Sequence, residues 1–261
     1  MYDPDALQSA LAGTIYSGKL HFFATIDSTN TQAIAAARAG APHGSVYFAD
    51  EQTSGRGRGD HRWESESSAG LYVSVLLRLP LAAARLSLLP LAAGLAAADA
   101  IHAVTGTTID LRWPNDLLIG ERKTGGILVE SRLDGDALDF AVVGIGINVH
   151  QRSFHPALAT PATSLARACG RPVSRQALLV ALLKSLEHEA HIVCDEESAK
   201  MLPARIEQRS TWLRGRRVEV HGPQACTGTT AGLDANGFLR VQTAHGLVTV
   251  QTGGIRAPEM D

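Results

Sequence analysis

The chain has few of the residues that mark several classes of protein. Its 261 residues include three cysteines, Cys169, Cys194 and Cys226, and no Cys-x-x-Cys pair. An odd number of cysteines without such a pair argues against a disulfide framework or a structural zinc site, and favours a reducing compartment. Aromatic residues make up 5% of the chain, which leaves few surfaces on which nucleic-acid bases could stack.

Neither sign of charge is in excess. The chain carries 24 Lys and Arg against 26 Asp and Glu, a formal net charge of -2, whereas a nucleic-acid-binding domain is usually basic. The N-terminal segment lacks the basic residues of a signal peptide. The most apolar stretch, residues 79–104, is interrupted by Arg85 and Asp99, so it predicts a core helix rather than a membrane span of ~20 residues. We therefore expect a cytoplasmic protein with no DNA and no membrane partner.

Hydrophobic periodicity and turn residues predict an α+β fold with a mixed, largely antiparallel sheet and flanking helices. Ser28 or Thr29 begins the first predicted helix, which ends at Arg38. The predicted helices are residues 29–38, 86–104, 173–193 and 198–210, and the predicted strands are residues 20–26, 45–49, 71–79, 107–113, 117–119, 126–132 and 138–149.

The pattern of predicted elements changes after Trp212, from helices and longer strands to short strands. Four short predicted strands, residues 217–220, 226–233, 238–242 and 247–250, are separated by glycine-containing turns. Such a run is typical of a small β-barrel. We expect a catalytic or binding domain at residues 1–211 and a C-terminal β domain at residues 212–261, with the boundary close to residues 211–215.

A long loop, residues 50–70, carries the densest motif, Gly55-Arg56-Gly57-Arg58-Gly59. Glycine lets backbone N–H groups approach an anion closely, and arginine presents a planar fork to carboxylate or phosphate. A loop that closes over its ligand would suit an anionic intermediate that must be shielded from water. A disordered or RNA-binding Arg/Gly segment accounts for the motif equally well.

Three further motifs are weak evidence of function when each is taken singly. Arg112-Trp113-Pro114-Asn115-Asp116 precedes Lys123 at a predicted hairpin, and ordinary turn chemistry could explain it. Gly144-Ile145-Gly146-Ile147-Asn148 lacks the remainder of a dinucleotide-binding fingerprint. Asp27-Ser28-Thr29-Asn30 is explained by helix capping, although a helix N-terminus with small polar side chains also suits a neutral polar group such as a cyclic urea.

Taken in order, these motifs resemble those of the biotin protein ligases, also called biotin–[acetyl-CoA-carboxylase] ligases. The resemblance spans roughly residues 20–149, and the small C-terminal β domain is also similar to that of the family. It implies a class II synthetase-like catalytic domain followed by an SH3-like β-barrel. It also implies an enzyme that makes biotinyl-5′-AMP from biotin and MgATP, and then transfers biotin to a lysine of a biotin carboxyl carrier domain.

The resemblance implies a role for each matching residue. Lys123, Arg56 and Arg58 would be catalytic, with Lys123 bridging the biotin carboxylate and the α-phosphate. The biotin-binding residues would be Ser28, Thr29, Asn30, Gln52, Arg56, Gly57, Arg58, Lys123, Gly125 and Gly126. The ATP-binding residues would be Arg56, Arg58, Trp63, Asn115, Asp116, Lys123 and Asn148, with Asn115, Asp116 and Asn148 around ATP and Mg²⁺ and Trp63 packed on adenine. No metal ligand is identified.

The sequence departs from the family pattern in two places. Gly59-Asp60-His61-Arg62 replaces a stretch that is richer in arginine, so we assign no role to the second half of the loop. Arg112 stands where the family usually has lysine, and we assign it no role either. About twenty residues precede the first predicted strand, too few for a helix-turn-helix domain, so a monofunctional ligase is expected.

Several alternatives stay open. Lipoate ligases and octanoyltransferases share the fold and a catalytic lysine, but no octanoyltransferase motif surrounds Cys169. An RNA-binding protein, or a sensor that binds biotin without turnover, would use the same loop differently. The family forms dimers, and the sequence leaves a homodimer open.

Overall fold

A computed structural model describes residues 2–59, 61–156 and 158–258. Its larger sheet has seven strands in the order β1-β2-β3-β7-β6-β5-β4. The strands are β1 (Leu20–Ile26), β2 (Val46–Gln52), β3 (Gly70–Leu77), β4 (Asp110–Arg112), β5 (Asp116–Ile119), β6 (Arg122–Asp134) and β7 (Ala137–Asn148). The predicted α+β class with a largely antiparallel sheet is therefore confirmed.

The sheet is mixed because of one helical crossover. Strands β1 and β2 are parallel, and α2 (Thr29–Arg38) connects them, whereas the other neighbouring strands are antiparallel. Ser28 begins α2 as its N-cap, with its side chain accepting from the Thr31 N–H at 3.4 Å. This geometry brings the first turn of α2 to the end of β1, beside the end of β2.

Two long helices, α3 (Leu89–Thr105) and α5 (Arg175–Cys194), cover one face of the sheet. The shorter helices besides α2 are α1 (Pro4–Ala10), α4 (Leu165–Cys169), α6 (Glu196–Ala199) and α7 (Leu202–Gln208). Leu178, Leu182 and Leu186 recur at helical spacing on α5 and are fully buried. Helix α3 packs against α5 and against strands of the larger sheet, so the core lies between these helices and the sheet.

The apolar stretch around α3 is a core helix, as its sequence indicated. A 3₁₀ helix at Ala83–Leu88 leads directly into α3, and Pro90 lies in the first turn of the α-helix. By length and composition the segment Ala83–Thr105 could cross a membrane, but 67% of its most apolar window is buried inside the protein. The predicted single helix at residues 86–104 is therefore two helices of different type.

The structure also divides the predicted helix at residues 198–210 into α6 and α7. Pro203 occupies the first turn of α7, where its missing N–H costs no hydrogen bond. The chain therefore turns at Lys200 and Met201, and a new helix begins at Leu202.

The C-terminal part forms a separate antiparallel sheet with the order β11-β10-β9-β8-β12. Its strands are β8 (Arg214–His221), β9 (Cys226–Leu233), β10 (Leu239–Thr243), β11 (Gly246–Val250) and β12 (Gly254–Arg256). The sequence did not predict β12, which pairs with β8. Trp212, just before β8, is buried, and the guanidinium of Arg216 lies 3.5 Å from the centre of its ring. Arg216 also binds Glu121 of the β5–β6 turn at 2.9 Å, which joins the two sheets.

Candidate active site

A cavity of about 750 Å³ lies between the larger sheet, the Gly/Arg loop and the second sheet. Its wall includes almost all of the residues implied by the resemblance, namely Ser28, Thr29, Asn30, Gln52, Arg56, Gly57, Arg58, Trp63, Asn115, Asp116, Lys123, Gly126 and Asn148. These residues come from positions as far apart as α2 and β7, so the fold brings together motifs that are distant in sequence.

One end of the cavity is lined by amide and hydroxyl groups. Ser28, Thr29 and Asn30 at the start of α2 are buried. The side-chain oxygen of Gln52 accepts hydrogen bonds from the Thr29 N–H at 2.8 Å and from the Thr29 hydroxyl at 3.1 Å. Ser74 on β3 donates to Asn30 Oδ1 at 2.5 Å. A cluster of amide and hydroxyl groups at a helix N-terminus can bind a neutral group that both donates and accepts hydrogen bonds.

Lys123 supplies positive charge to the cavity floor and is held by a carboxylate. Its ammonium forms an ion pair with Asp116 Oδ1. Arg112 binds the other oxygen of Asp116 through Nη2 at 2.6 Å and Nε at 3.1 Å. Burial alone would raise the pKa of Asp116, but Lys123 and Arg112 together hold that pKa below its ordinary value. Asp116 is therefore an anion that fixes two cations.

The two arginines of the motif at residues 55–59, Arg56 and Arg58, are engaged by other parts of the protein. Arg56 forms a bidentate ion pair with Glu130 on β6, with Nη1 2.9 Å from Oε2 and Nη2 2.8 Å from Oε1. Arg58 donates to the carbonyl of Gly253 and to the Thr252 hydroxyl, the latter at 2.7 Å. Burial lowers the pKa of Arg58, and Asp116 opposes that effect. The loop is thus fastened to both sheets.

The Trp63 ring packs against Gly126 and Gly146, where there is no side chain to displace it. A Cβ placed on Gly126 would be 3.3 Å from the Trp63 ring, and one placed on Gly146 would be 2.7 Å from it. The Lys123 ammonium lies 5.8 Å from the centre of the same ring. The indole N–H of Trp63 is buried without a hydrogen-bond partner. These two glycines keep strands β6 and β7 open to a flat group.

The remaining predicted residues differ in what they present to the cavity. Asn115 donates to the carbonyl of Ile127 at 2.7 Å, and Asn148 donates to the carbonyl of Thr163 at 3.2 Å, so both amides also support the wall. Gly125 does not line the cavity, and a Cβ placed on it would meet the Leu117 side chain at 2.8 Å and the Gly146 carbonyl at 2.9 Å. The structure does not bring Gly125 to the cavity as the resemblance implied.

Sequence reasoning missed several wall residues. Arg112, to which it gave no role, lines the cavity and is buried. The spacing of Arg112 and Asp116, four residues apart, could have indicated an ion pair, but not that the pair lies in the cavity wall. The second sheet contributes His221, Gly222, Pro223, Thr252, Gly253, Gly254, Ile255 and Arg256. Nothing in their local sequence indicates this, since the contacts depend on how the two sheets pack. Asp60, in the altered half of the loop, lies outside the described residues.

The donor set does not fit a metal ion held by the protein alone. Within residues 2–59, 61–156 and 158–258, no group of three or more His, Cys, Asp or Glu side chains could hold a metal ion. Asp116, in the cavity wall, is already paired with two cations. Magnesium commonly binds through one or two carboxylates together with substrate phosphates, so any Mg²⁺ here would belong to the nucleotide.

Comparisons with known proteins agree with this geometry. The Biotin/lipoate A/B protein ligase family matches residues 22–148. The biotin–[acetyl-CoA-carboxylase] ligase of Mycobacterium tuberculosis is 34% identical over 91% of this chain and 88% of its own length. The bifunctional ligase/repressor BirA of Bacillus spizizenii is 32% identical over 88% of this chain and 71% of its own.

A solved structure shows the same fold with ligands bound. The biotin protein ligase from Aquifex aeolicus in complex with biotin and ATP superposes with a TM-score of 0.78, at 30% identity, over 92% of this chain and 98% of that one. Together with the identities above, this places the chain in the biotin protein ligase family.

Proposed function

We propose that the chain activates biotin with ATP and transfers it to a lysine of a biotin carboxyl carrier domain. It is an ATP-dependent ligase of the biotin protein ligase family, and the carrier domain is its proposed acceptor. The observation that carries the proposal is the position of Lys123. Its ammonium lies in a cavity that has amide and hydroxyl groups at one end and is bounded at the other end by Arg58 and the second sheet.

The first step joins two anions, so the protein must supply positive charge. A carboxylate oxygen of biotin attacks the α-phosphorus of ATP, the bond from that phosphorus to the bridging oxygen breaks, and pyrophosphate leaves with the electron pair. Lys123 bridges the carboxylate and the α-phosphate in this proposal, and Arg58 adds charge from the loop. Preorganised cations of this kind stabilise the developing transition state most effectively where water is excluded.

The cavity divides naturally into two binding regions. Ser28, Thr29, Asn30 and Gln52 would hold the ureido head of biotin by its N–H and C=O groups, and Gly57 and Gly126 would allow close approach of the chain. Trp63 would stack on adenine, and Asn115, Asp116 and Asn148 would lie beside the nucleotide. No step is assigned to a protein-held magnesium ion, and Mg²⁺ enters as part of MgATP.

In the second step a lysine amine of the acceptor attacks the carbonyl carbon of the mixed anhydride. A carbon–nitrogen bond forms, the carbon–oxygen bond to phosphate breaks, and AMP leaves while the amine loses a proton. The carrier domain is proposed because the family reaction ends there. A cytoplasmic location, a domain boundary at residues 211 and 212, the absence of DNA binding and a homodimer stay predictions.

Pyrophosphate exchange tests the proposal. We expect biotin-dependent incorporation of labelled pyrophosphate into ATP, and we expect Lys123→Ala to reduce it about 100-fold, the scale on which one preorganised charge contributes. Lys184→Ala is the matched control, because Lys184 is an exposed lysine on α5, remote in sequence from every motif of the cavity. It should exchange at the wild-type rate.

The same assay separates the alternatives. Exchange driven by lipoate but not by biotin would replace this proposal with a lipoate ligase. Biotin binding without exchange would indicate a sensor, and a salt-dependent shift of RNA by the unliganded protein would support the RNA-binding interpretation of the Gly/Arg loop.

A further inference from the structure

Arg56, which the resemblance implies is a catalytic cation, is already paired with an anion. Both of its terminal nitrogens contact the two carboxylate oxygens of Glu130, at 2.9 and 2.8 Å. Such a bidentate pair is both stronger and more directional than a single contact. It also cancels much of the attraction that Arg56 could exert on the carboxylate or phosphate of a ligand. The position of Arg56 therefore fits the fastening of a loop better than the binding of an anion.

Glu130 also contacts a residue at the polar end of the cavity. Its Oε2 accepts from Asn30 Nδ2 at 3.0 Å, and Asn30 in turn accepts from Ser74 at 2.5 Å. One carboxylate on β6 thus contacts the Gly/Arg loop and the start of α2. The Glu130 side chain is 26% exposed and that of Arg56 is 45% exposed, so only the carboxylate side of the pair is largely shielded from solvent.

The far end of the same loop is tied to the same place. Ser65 accepts from Gln52 Nε2 at 2.9 Å, and Gln52 accepts from Thr29. Arg56 and Ser65 are therefore each held by a group that contacts the first turn of α2. A molecule that binds Thr29, Asn30 and Gln52 would contact both fastenings of the loop.

We propose that Glu130 is a positioning residue that holds the Gly/Arg loop over the cavity through Arg56. This inference rests on the proposed function, since its purpose is to retain biotinyl-5′-AMP and to exclude water. Arg56 then acts mainly through Glu130, and Lys123 and Arg58 carry the charge that faces the reacting groups. Asn30 links the fastening to occupancy of the polar end of the cavity.

The proposal predicts that the two partners behave as a unit. With biotin and MgATP but no acceptor, Glu130→Gln and Arg56→Gln should each release AMP about threefold to fivefold faster than the wild type, the range expected of a partly exposed ion pair. The double variant should release AMP no faster than either single variant. The exchanged pair, Arg56→Glu with Glu130→Arg, should return the rate to within about twofold of the wild type.

The matched control is Glu51→Gln, which removes a carboxylate from β2 whose hydrogen bond, from the Thr25 hydroxyl, is 3.5 Å long. It should leave the release rate unchanged. If Arg56 instead binds the reacting anion, Arg56→Gln should lose far more adenylation activity than Glu130→Gln. The losses of the two single variants should then add in the double variant, and the exchanged pair should stay inactive. Those results would overturn the proposal.

A ligand-free measurement keeps the two proposals distinguishable. Trypsin cleavage after Arg58 and Arg62, followed by mass spectrometry of the fragments, should be about threefold to fivefold faster in Glu130→Gln than in the wild type, because loop opening tracks the lost ion pair. Cleavage at the wild-type rate would refute the fastening. If the wild type failed to exchange pyrophosphate, the proposed function would fail, while the comparison of cleavage rates would still decide the role of Glu130.

Discussion

The substitution Gly144→Ala should damage the polar end of the cavity without removing any polar group. A methyl group on Gly144 would overlap Asn30 Oδ1 and lie 2.8 Å from Asn30 Cγ. Real Cβ atoms do not approach so closely, and strand β7 is buried and paired on both sides. Asn30 would therefore have to leave its position.

The magnitude follows from the hydrogen bonds that Asn30 would lose. It accepts from Ser74, which is fully buried, and donates to Glu130. A neutral bond contributes about 1 kcal/mol and one to a charged group about 1.5–3 kcal/mol, so unfolding free energy should fall by about 3 kcal/mol. Because Asn30 also belongs to the proposed biotin site, the Kd for biotin should rise about tenfold or more.

Urea denaturation and titration calorimetry with biotin measure these two quantities. Gly94→Ala is the control, since its nearest neighbours, Ile127 and Leu111 methyl groups, lie 3.6 Å from the added carbon. Alanine in the interior of α3 should stabilise the protein by about 0.5–1 kcal/mol and leave biotin binding unchanged. Wild-type stability and affinity in Gly144→Ala would refute the packing on which the site is built.

Three further predictions concern charge and stacking. Asp116→Asn should lower the free energy of unfolding by about 3 kcal/mol at neutral pH, because Arg112 and Lys123 lose their buried partner. The difference in free energy of unfolding between the variant and the wild type should be at its full size above the ordinary carboxyl pKa of 3.8. It should vanish as the pH falls through the lower pKa of folded Asp116, and denaturation at a series of pH values would show this. Trp63→Ala should raise the KM for ATP about tenfold in steady-state assays, since stacking on a base contributes about 1–3 kcal/mol; an unchanged KM would remove adenine from this position. Arg205→Ala should destabilise the chain by about 3 kcal/mol in urea, because it leaves the carboxylate of Glu189, which is 2% exposed, without its partner; a loss below about 1 kcal/mol would contradict this.

Local patterns were sufficient for most of the larger sheet. The alternation and turn residues around β1 and α2 predicted their positions, because edge strands and capped helices are specified by neighbouring residues. The single helix expected at residues 198–210 is two helices, α6 and α7, because Pro203 favours the start of a new helix. Strand β12 has three residues, and its pairing with β8 depends on the second sheet rather than on its own sequence.

In the candidate site, too, local sequence patterns predicted some residues and missed the contacts between distant segments. The motifs that contain Lys123, Arg58 and Asn30 could be recognised because each is a short run of chemically distinctive residues. Arg112 was given no role, yet the structure buries it against Asp116 and the Trp212 ring. The contact between Arg58 and the turn at Thr252 and Gly253 joins residues separated by nearly 200 positions, and no local pattern can indicate such a contact.

The most direct test of the account is to identify the product that forms in the cavity. Purified protein given biotin and MgATP without an acceptor should accumulate biotinyl-5′-AMP, detected by mass spectrometry, in an amount close to that of the protein, and Lys123→Ala should not. Added biotin carboxyl carrier domain should then consume it, with one biotin appearing on a single lysine. A well-folded wild-type protein that binds biotin and ATP but forms no adenylate would contradict the account.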